Sequence, residues 1–524
     1  MSNTGKWRKA FISALAVVMV AVLLAACGGG NNGNSQGNEE RVLRIAASSG
    51  FNSDWGNWIR DEYTDLFEFV NPNITIEFIE NQQSYYWYTN QTEEQKSPME
   101  ILKEELEGPN PPDVIIMEYQ HLAELVRENH LAPLDSLMQN SGINTDEFVP
   151  SVVNALKAVS DDGQFYALAP MFSSSVMAYN KALFTAKGLP FPTDGMTWDE
   201  VFTLARQVAG GEGNDRVYGF AFSNYGYTDL FYETTVYTAP LELRYWDENA
   251  ERMLVNTPEW KKAWNTVIEL RKDGVLPEPP DWSQPQPEPG PFDYNSILSG
   301  KVAMAIVSYW DLNEIINVNR NAANIDNFDP IDWDIVSVPY HPEKPYVGGQ
   351  VYLNGIMGIA SNAQNPEDAW KFIEFIMSER WAQQKSKSSN NLMTWQKYNQ
   401  PKAGLDYNIE AFYQNMPAPV QPNDYEIYNK YPDIWQVQNI GYQKFQEVLN
   451  NNKTVDEALA EWETEGNALL QQMRENNGRL DGGDGGTIGI PEPILFEEPL
   501  IIDDDGASGG ETDGTTEGET EEAE

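Results

Sequence analysis

From residue 42 to residue 117, short apolar runs alternate with longer stretches whose apolar residues recur at helical spacing, and nothing else in the chain narrows the fold as much. Residues 42–47 read as a buried strand. Residues 55–69 set Trp55, Trp58, Ile59, Tyr63, Leu66 and Phe67 near a helical repeat. A second strand is expected at 74–79, a helix at 93–106, and a third strand at 113–117 after the punctuation from Pro109 to Pro112. This order predicts parallel sheets covered by helices, with ligands favoured beyond the carboxyl ends of the strands. Those ends are residues 48–55 and 117–120.

Further along, 176–181 reads as a strand entering a helix, followed by helices at 198–208, 229–237 and 258–273. Seven prolines in the fifteen residues 277–291 predict an exposed extended loop. Strands are expected at 302–307, at 335–338 and within 346–360, and helices at 366–377, 379–387, 425–449 and 455–475. No tandem repeat with a period of about 20–50 residues is visible.

Composition removes several functions. Eighty acidic against 34 basic side chains give a formal charge of −46, which repels nucleic-acid phosphates, so no nucleic-acid partner is expected. One cysteine forms no intramolecular disulfide and leaves too few thiolates for a structural zinc site. His121, His130 and His341 are too scattered for a metal site, and the first two are expected at the surface or at a helix end. Asp326, Asp329, Asp332 and Asp334 lack the spacing of a calcium loop. No metal and no cofactor are expected, and no phosphate-loop or Gly-Xaa-Ser-Xaa-Gly pattern is present with the right flanks. Aromatic residues make up 12% of the chain, with 16 tryptophans, so something here packs or stacks on many rings.

Lys6, Arg8 and Lys9 precede an apolar run, 10–26, that ends in Leu24-Ala25-Ala26-Cys27, the pattern of an export signal over residues 1–26. Those last four residues resemble a bacterial lipobox, which implies cleavage before Cys27 and acylation of that residue. Two or more acyl chains hold a protein stably at a membrane. Taken alone, the run also fits a short uncleaved anchor. Residues 27–40, rich in Gly and Asn, read as a flexible tether. The segment 481–524 carries fifteen acids and no Lys or Arg and reads as a disordered acidic tail with one apolar island at 488–502.

The order of elements behind the lipobox resembles the maltose-binding-protein-like family 1 of extracellular solute-binding proteins, which serve bacterial ABC sugar importers. The resemblance covers about residues 42–475. It is carried jointly by Asp113-Val114-Ile115-Ile116-Met117, by the passage from Leu168-Ala169-Pro170 to Ala178-Tyr179-Asn180-Lys181, by Gly300-Lys301-Val302-Ala303-Met304-Ala305, and by Gly348-Gly349 leading into Gly358-Ile359-Ala360-Ser361. It implies an α/β fold of two lobes, each a sheet covered by helices, joined by hinge strands and closing on a ligand as a clamp. Lobe one would comprise 41–165 with 346–400, and lobe two 166–345 with 401–480. The implied partners are a small-molecule ligand, expected to be an oligosaccharide given the aromatic content, and an ABC permease. The implied location is the outer face of the cell membrane, held by Cys27.

A sugar needs an aromatic plane under its C–H face and polar side chains around its rim. Trp310 leads the candidates, because it follows an expected strand where similar sugar-binding proteins place a stacking tryptophan, and Asp311 beside it can accept hydroxyl hydrogens. Met117 and Gln120 stand where some relatives have tryptophan and aspartate, with Glu118 and Tyr119 between them. Trp55 lies where the first strand meets its helix, and Trp58 three positions on is equally suited to a core. Phe172 and Ser173 align near a family contact segment. Gly348, Gly349 and Gln350 would let backbone approach a ligand, and Tyr225, Tyr227, Trp246 and Trp395 complete the set. Two competing readings are a secreted glycosidase, which needs two suitably spaced carboxylates, and a polymer-binding surface lipoprotein without transport. No local pattern singles out a carboxylate pair, and a binding protein without enzymatic activity is the preferred reading.

Overall fold

The computed structural model describes residues 40–49, 53–79, 96–225, 229–278, 290–348, 350–418, 427–428, 430–476 and 478–480. The expected signal, Cys27, most of the tether, most of the proline-rich loop, Tyr227, Gly349 and the acidic tail lie outside the described residues.

Eleven strands are described: β1 (Arg41–Ala47), β2 (Ile74–Phe78), β3 (Val114–Met117), β4 (Met171–Asn180), β5 (Met304–Ser308), β6 (Trp333–Ser337), β7 (Val347–Gly348), β8 (Val351–Asn354), β9 (Ile356–Ile359), β10 (Leu392–Met393) and β11 (Met416–Pro417). The first sheet runs β2-β1-β3-β9. Its β1–β2 and β1–β3 ladders are parallel, as the alternation predicts, and β9 joins β3 antiparallel. Asp113, fully buried, fastens this sheet to the helix Pro366–Ile376 by accepting the backbone N–H groups of Arg44 (3.0 Å) and Asn365 (2.7 Å).

The second sheet is built on β4, which changes partners along its length. Residues 171–174 pair with β8 and, at the first two positions, with β10. From Ser175 onward β4 pairs with β5 and β6. All four ladders are antiparallel, so among the described residues the expected parallel pairing is found in the first three strands and in the short β7–β11 ladder. Alternation predicts parallel pairing between consecutive strands, whereas β4 takes its neighbours from segments far along the chain.

Local signals set most helix ends. Ser97 and Glu100 form a capping box with Pro98 at the first helical position, so the helix expected from 93 runs as Pro98–Glu107. Thr197 with Glu200 and Thr454 with Glu457 do the same for Trp198–Val208 and Val455–Glu475. The stretch expected as one helix at 55–69 is Ser53–Ile59, a π turn at Arg60–Thr64 and Asp65–Val70. The stretch expected as one helix at 425–449 is interrupted: residues 427, 428 and 430 are helical, a turn at 432–434 starts on Pro432, which has no N–H to continue a helix, and the long helix Trp435–Leu449 follows.

The aromatic content is largely explained by packing. Trp198, Trp264 and Trp462 are among the largest fully buried side chains. Trp198 packs on Phe202, Phe220, Phe222 and Tyr237, and Trp462 packs on Trp264, Trp260, Tyr245 and Phe231. The expectation that many aromatics mark a long ligand therefore loses most of its support.

Candidate functional site

At the carboxyl end of β5 the chain turns directly into the helix Tyr309–Asn321. Ser308 caps it: its hydroxyl accepts the Asp311 N–H at 3.2 Å, while Asp311 Oδ2 accepts the Ser308 N–H and O–H, each at 2.7 Å. The cap presents the next residue outward, and Trp310 keeps 40% of its surface exposed. One turn on, Glu314 accepts the Tyr294 hydroxyl at 2.8 Å and the Asn295 amide at 3.0 Å. Desolvation, reinforced by Glu314, pushes the Tyr294 phenol up to about 12. Tyr225 bridges to Asn295. Burial first, and the Asp311 carboxylate second, raise the pKa of its phenol. Trp310, Asp311 and Tyr225 are thus gathered into one aromatic and polar wall, together with Tyr294 and Glu314, which sequence reasoning missed.

Beside this wall runs one face of the crossing strands. Ser173 and Ser175 share a face of β4, because successive strand residues point to opposite sides. Ser173 lies opposite Tyr352, and Ser175 opposite Ser308. The Ser175 hydroxyl donates to Gln350 Oε1 at 2.8 Å, and the Asn354 amide donates to the Ser173 hydroxyl at 3.2 Å. Tyr352, across from Ser173, is 59% exposed, so this face of the strands is open to solvent there. Tyr352 is a second missed residue, and the alternation of residues 351–354 was its only sequence signal. Phe172 is corrected by the same periodicity: it faces away from Ser173, has no exposed surface and meets Tyr413 edge-on, so it packs and does not contact a ligand.

A third group lies at the carboxyl ends of β1 and β3. The Glu118 N–H donates to the Ser48 hydroxyl at 3.2 Å and the Gln120 amide donates to Glu118 Oε2 at 2.6 Å. Glu118 is exposed, and desolvation raises its pKa against an opposing hydrogen bond from Ser49. Met117 is buried. The Tyr119 hydroxyl donates to the Ala155 carbonyl at 3.0 Å, which gives it a structural role. Trp55 belongs to the helix Ser53–Ile59, and Trp58 is half exposed with its ring edge-on to Tyr63.

His121 is not the surface or cap residue expected. It is 7% exposed, its Nδ1 lies 2.8 Å from the Ser48 hydroxyl, and desolvation lowers its pKa to about 4. The folded value lies below the usual 6.5, so as pH falls from about 6.5 towards 4 the unfolded chain takes up a proton that the folded chain refuses. His121 then withdraws up to about 3 kcal/mol of stability across that window. In His121→Asn, the loss of urea-unfolding free energy between pH 7 and pH 4.5 is expected to shrink by about 2–3 kcal/mol relative to the parent. An unchanged pH slope would assign the acid sensitivity to other groups. His341 is also buried, with Nε2 donating to the Tyr237 carbonyl at 2.6 Å.

Two further candidates are core residues. Trp246 is buried against Tyr428, and Trp395 is buried against Phe148 with its Nε1 donating to the Met377 carbonyl at 2.7 Å. Gly348 pairs with Pro417 across β7 and β11. Asp332 and Asp334 pair with Lys181. Among the described residues no cluster of three or more His, Cys, Asp or Glu is placed to hold a metal ion, and no helix is long and apolar enough to cross a membrane.

Two helix-covered sheets, with aromatic and polar groups gathered at strand ends, are the frame of an α/β ligand-binding protein. Residues 52–383 match the family described as bacterial extracellular solute-binding protein, and the chain belongs to that family. A Brucella abortus (strain 2308) protein named only as a candidate binding protein is 25% identical over 391 residues, 70% of this chain and 81% of its own. The fold is also that of an extracellular solute-binding protein family 1 member from Alicyclobacillus acidocaldarius (TM-score 0.56, 16% identity, 83% of this chain and 100% of that one). It is shared by a sugar transporter of Rhizobium etli in an open conformation (TM-score 0.53, 19% identity, 82% and 99%) and by the sugar-binding protein MalE of Xanthomonas citri (TM-score 0.52, 16% identity, 83% and 98%).

Proposed function

We propose that this solute-binding protein captures a carbohydrate between its two lobes and delivers it to the permease of an ABC importer, and that it does so from the outer face of the cell membrane, anchored through acyl chains on Cys27. The observation that carries the ligand class is the exposed Trp310 ring beside a polar rim of Asp311, Tyr225, Tyr294 and Glu314, a flat apolar surface edged by hydroxyl-binding groups. Two proteins of the same fold are named for sugars, which agrees with this reading. In this scheme lobe one is 41–165 with 346–400 and lobe two is 166–345 with 401–480. The wall on β5 and the Glu118 group on β1 and β3 then close on the ligand, with the Ser175 and Tyr352 face as the floor.

The test is a thermal-shift and calorimetric screen of residues 28–524 with mono- and oligosaccharides. A cognate sugar at one hundred times its dissociation constant adds about 2.7 kcal/mol to stability, and it should be recovered chemically unchanged. A cleaved sugar establishes the glycosidase reading instead, and a panel with no stabilising sugar removes the carbohydrate assignment. Anchoring is tested separately: the parent protein is expected to incorporate labelled fatty acid and to lose residues 1–26, and Cys27→Ser to lose both the label and the cleavage, because the same cysteine is the acylated residue and the cleavage boundary. A parent protein that takes up no fatty acid would refute the lipid anchor.

A further inference from the structure

The wall at the end of β5 contains buried polar atoms that the protein itself does not use. Both side-chain amide atoms of Asn224 are shut off from solvent with no hydrogen-bond partner, and the residue is 1% exposed. Buried polar groups are nearly always paired, so two such atoms on one side chain call for an explanation.

The backbone leads this amide to the wall. Tyr218 bridges to Val302 and Ala221 to Ala305 in parallel register, with the Ala221 N–H donating to Met304 and the Ile306 N–H donating to Ala221. Past Ala221 the chain bends through 222–224, and Tyr225 bridges to Asn295. Tyr225, the residue after Asn224, has its phenol hydrogen-bonded to the Asp311 carboxylate. The Ser296 N–H donates to the Asn224 carbonyl at 2.6 Å, which fixes the backbone and leaves the side-chain amide uncommitted.

The charge of the wall is one-sided. The groups that act on Tyr225 are Asp311, Glu314 and Tyr294, and Tyr294 is influenced by Glu314; no cation contributes to either. Lys402, packed 4.4 Å over the buried ring of Tyr309, turns its ammonium to the Ser389 carbonyl.

We propose that the Asn224 amide is a polar anchor of the site, and that this carboxylate-lined wall selects an uncharged saccharide over one that carries carboxylate, phosphate or sulfate groups. The inference rests on the carbohydrate reading given above. An amide offers one acceptor and two donors, a set that sugar hydroxyls satisfy because each both donates and accepts. An anionic substituent would lose its hydration beside Asp311 and Glu314 with no counter-charge, and such like-charge juxtaposition is a strong discriminator.

Isothermal titration of residues 28–524 tests this with glucose, galactose, mannose, xylose and their linear trimers, set against glucuronate, galacturonate, mannuronate, trigalacturonate and glucose 6-phosphate. The expected result is binding of at least one neutral sugar, with its acidic counterpart weaker by at least about 100-fold. Asn224→Ala is expected to weaken the neutral sugar about 10-fold or more, and Asp311→Asn to narrow the gap between neutral and acidic sugars. Circular dichroism melts establish that both variants fold, and the ratio in the parent protein needs no variant. An acidic sugar that binds as tightly as its neutral counterpart overturns the inference and leaves the carbohydrate reading standing. So does an Asn224→Ala affinity within twofold of the parent. If no sugar of either kind binds, the carbohydrate reading fails and this inference falls with it.

Discussion

Trp310→Ala is expected to weaken binding of the sugar found in the thermal screen by at least about 30-fold, while the unliganded protein loses no more than about 1–2 kcal/mol of stability. The two halves of this result have separate causes. The ring sits at the first turn of a helix whose cap, Ser308 with Asp311, does not involve the indole, and 40% of the residue faces solvent, so little of the fold depends on it. For a ligand the same ring is a large rigid surface with only two torsions to freeze, which is where interfaces concentrate their energy. Phe172→Ala provides the contrast. It is expected to cost about 3–5 kcal/mol of stability, because the ring is fully buried, with no direct effect on affinity at temperatures where the variant is folded. Calorimetric titration beside a urea-unfolding series reads both quantities. Unchanged affinity in Trp310→Ala would move the site away from the end of β5.

The largest stability effect is expected at the packing of the two C-terminal helices, Trp435–Leu449 and Val455–Glu475. Gly441 lets them meet: a Cβ there would lie 2.3 Å from the Trp462 ring. Trp462 is fully buried, and its Nε1 donates to the Val437 carbonyl at 2.7 Å. Trp462→Ala is expected to cost about 3–5 kcal/mol through the cavity it leaves, and Gly441→Ala about 3 kcal/mol through overpacking. The double variant is expected to lose less than the sum of the two, since the new methyl group occupies part of the space the ring vacates. Strict additivity in denaturant unfolding would show that the two residues do not press on each other.

The two predictions separate what was legible in the chain from what was not. The strands of the first sheet, the helices Trp198–Val208 and Val455–Glu475, and the strand end that precedes Trp310 could all be read from windows of about ten residues. Phe172 and Ser173 could not be separated that way: adjacent residues of a strand face opposite sides, and only the ladders to β8 and β5 show which side is open. Asn224 carried no sequence signal, being one asparagine in a loop, until the contact of its neighbour Tyr225 with Asp311 set it at the wall. His121 looked like a surface residue because its partner, Ser48, is 73 positions away.

The sequence by itself determined the alternation of strands and helices, the capped helix starts, the strongly negative field and the tryptophan that follows β5. Each of these is a property of local composition, spacing or net charge, and none depends on a distant partner. The tertiary structure alone decided that β4 serves two sets of partners in antiparallel ladders, that most of the described tryptophans are core while Trp310 is not, and that Tyr352, Tyr294 and Asn224 join the proposed site. Strand direction, burial and hydrogen-bond satisfaction are set by segments more than a hundred residues apart meeting in space, which no local window of the chain contains.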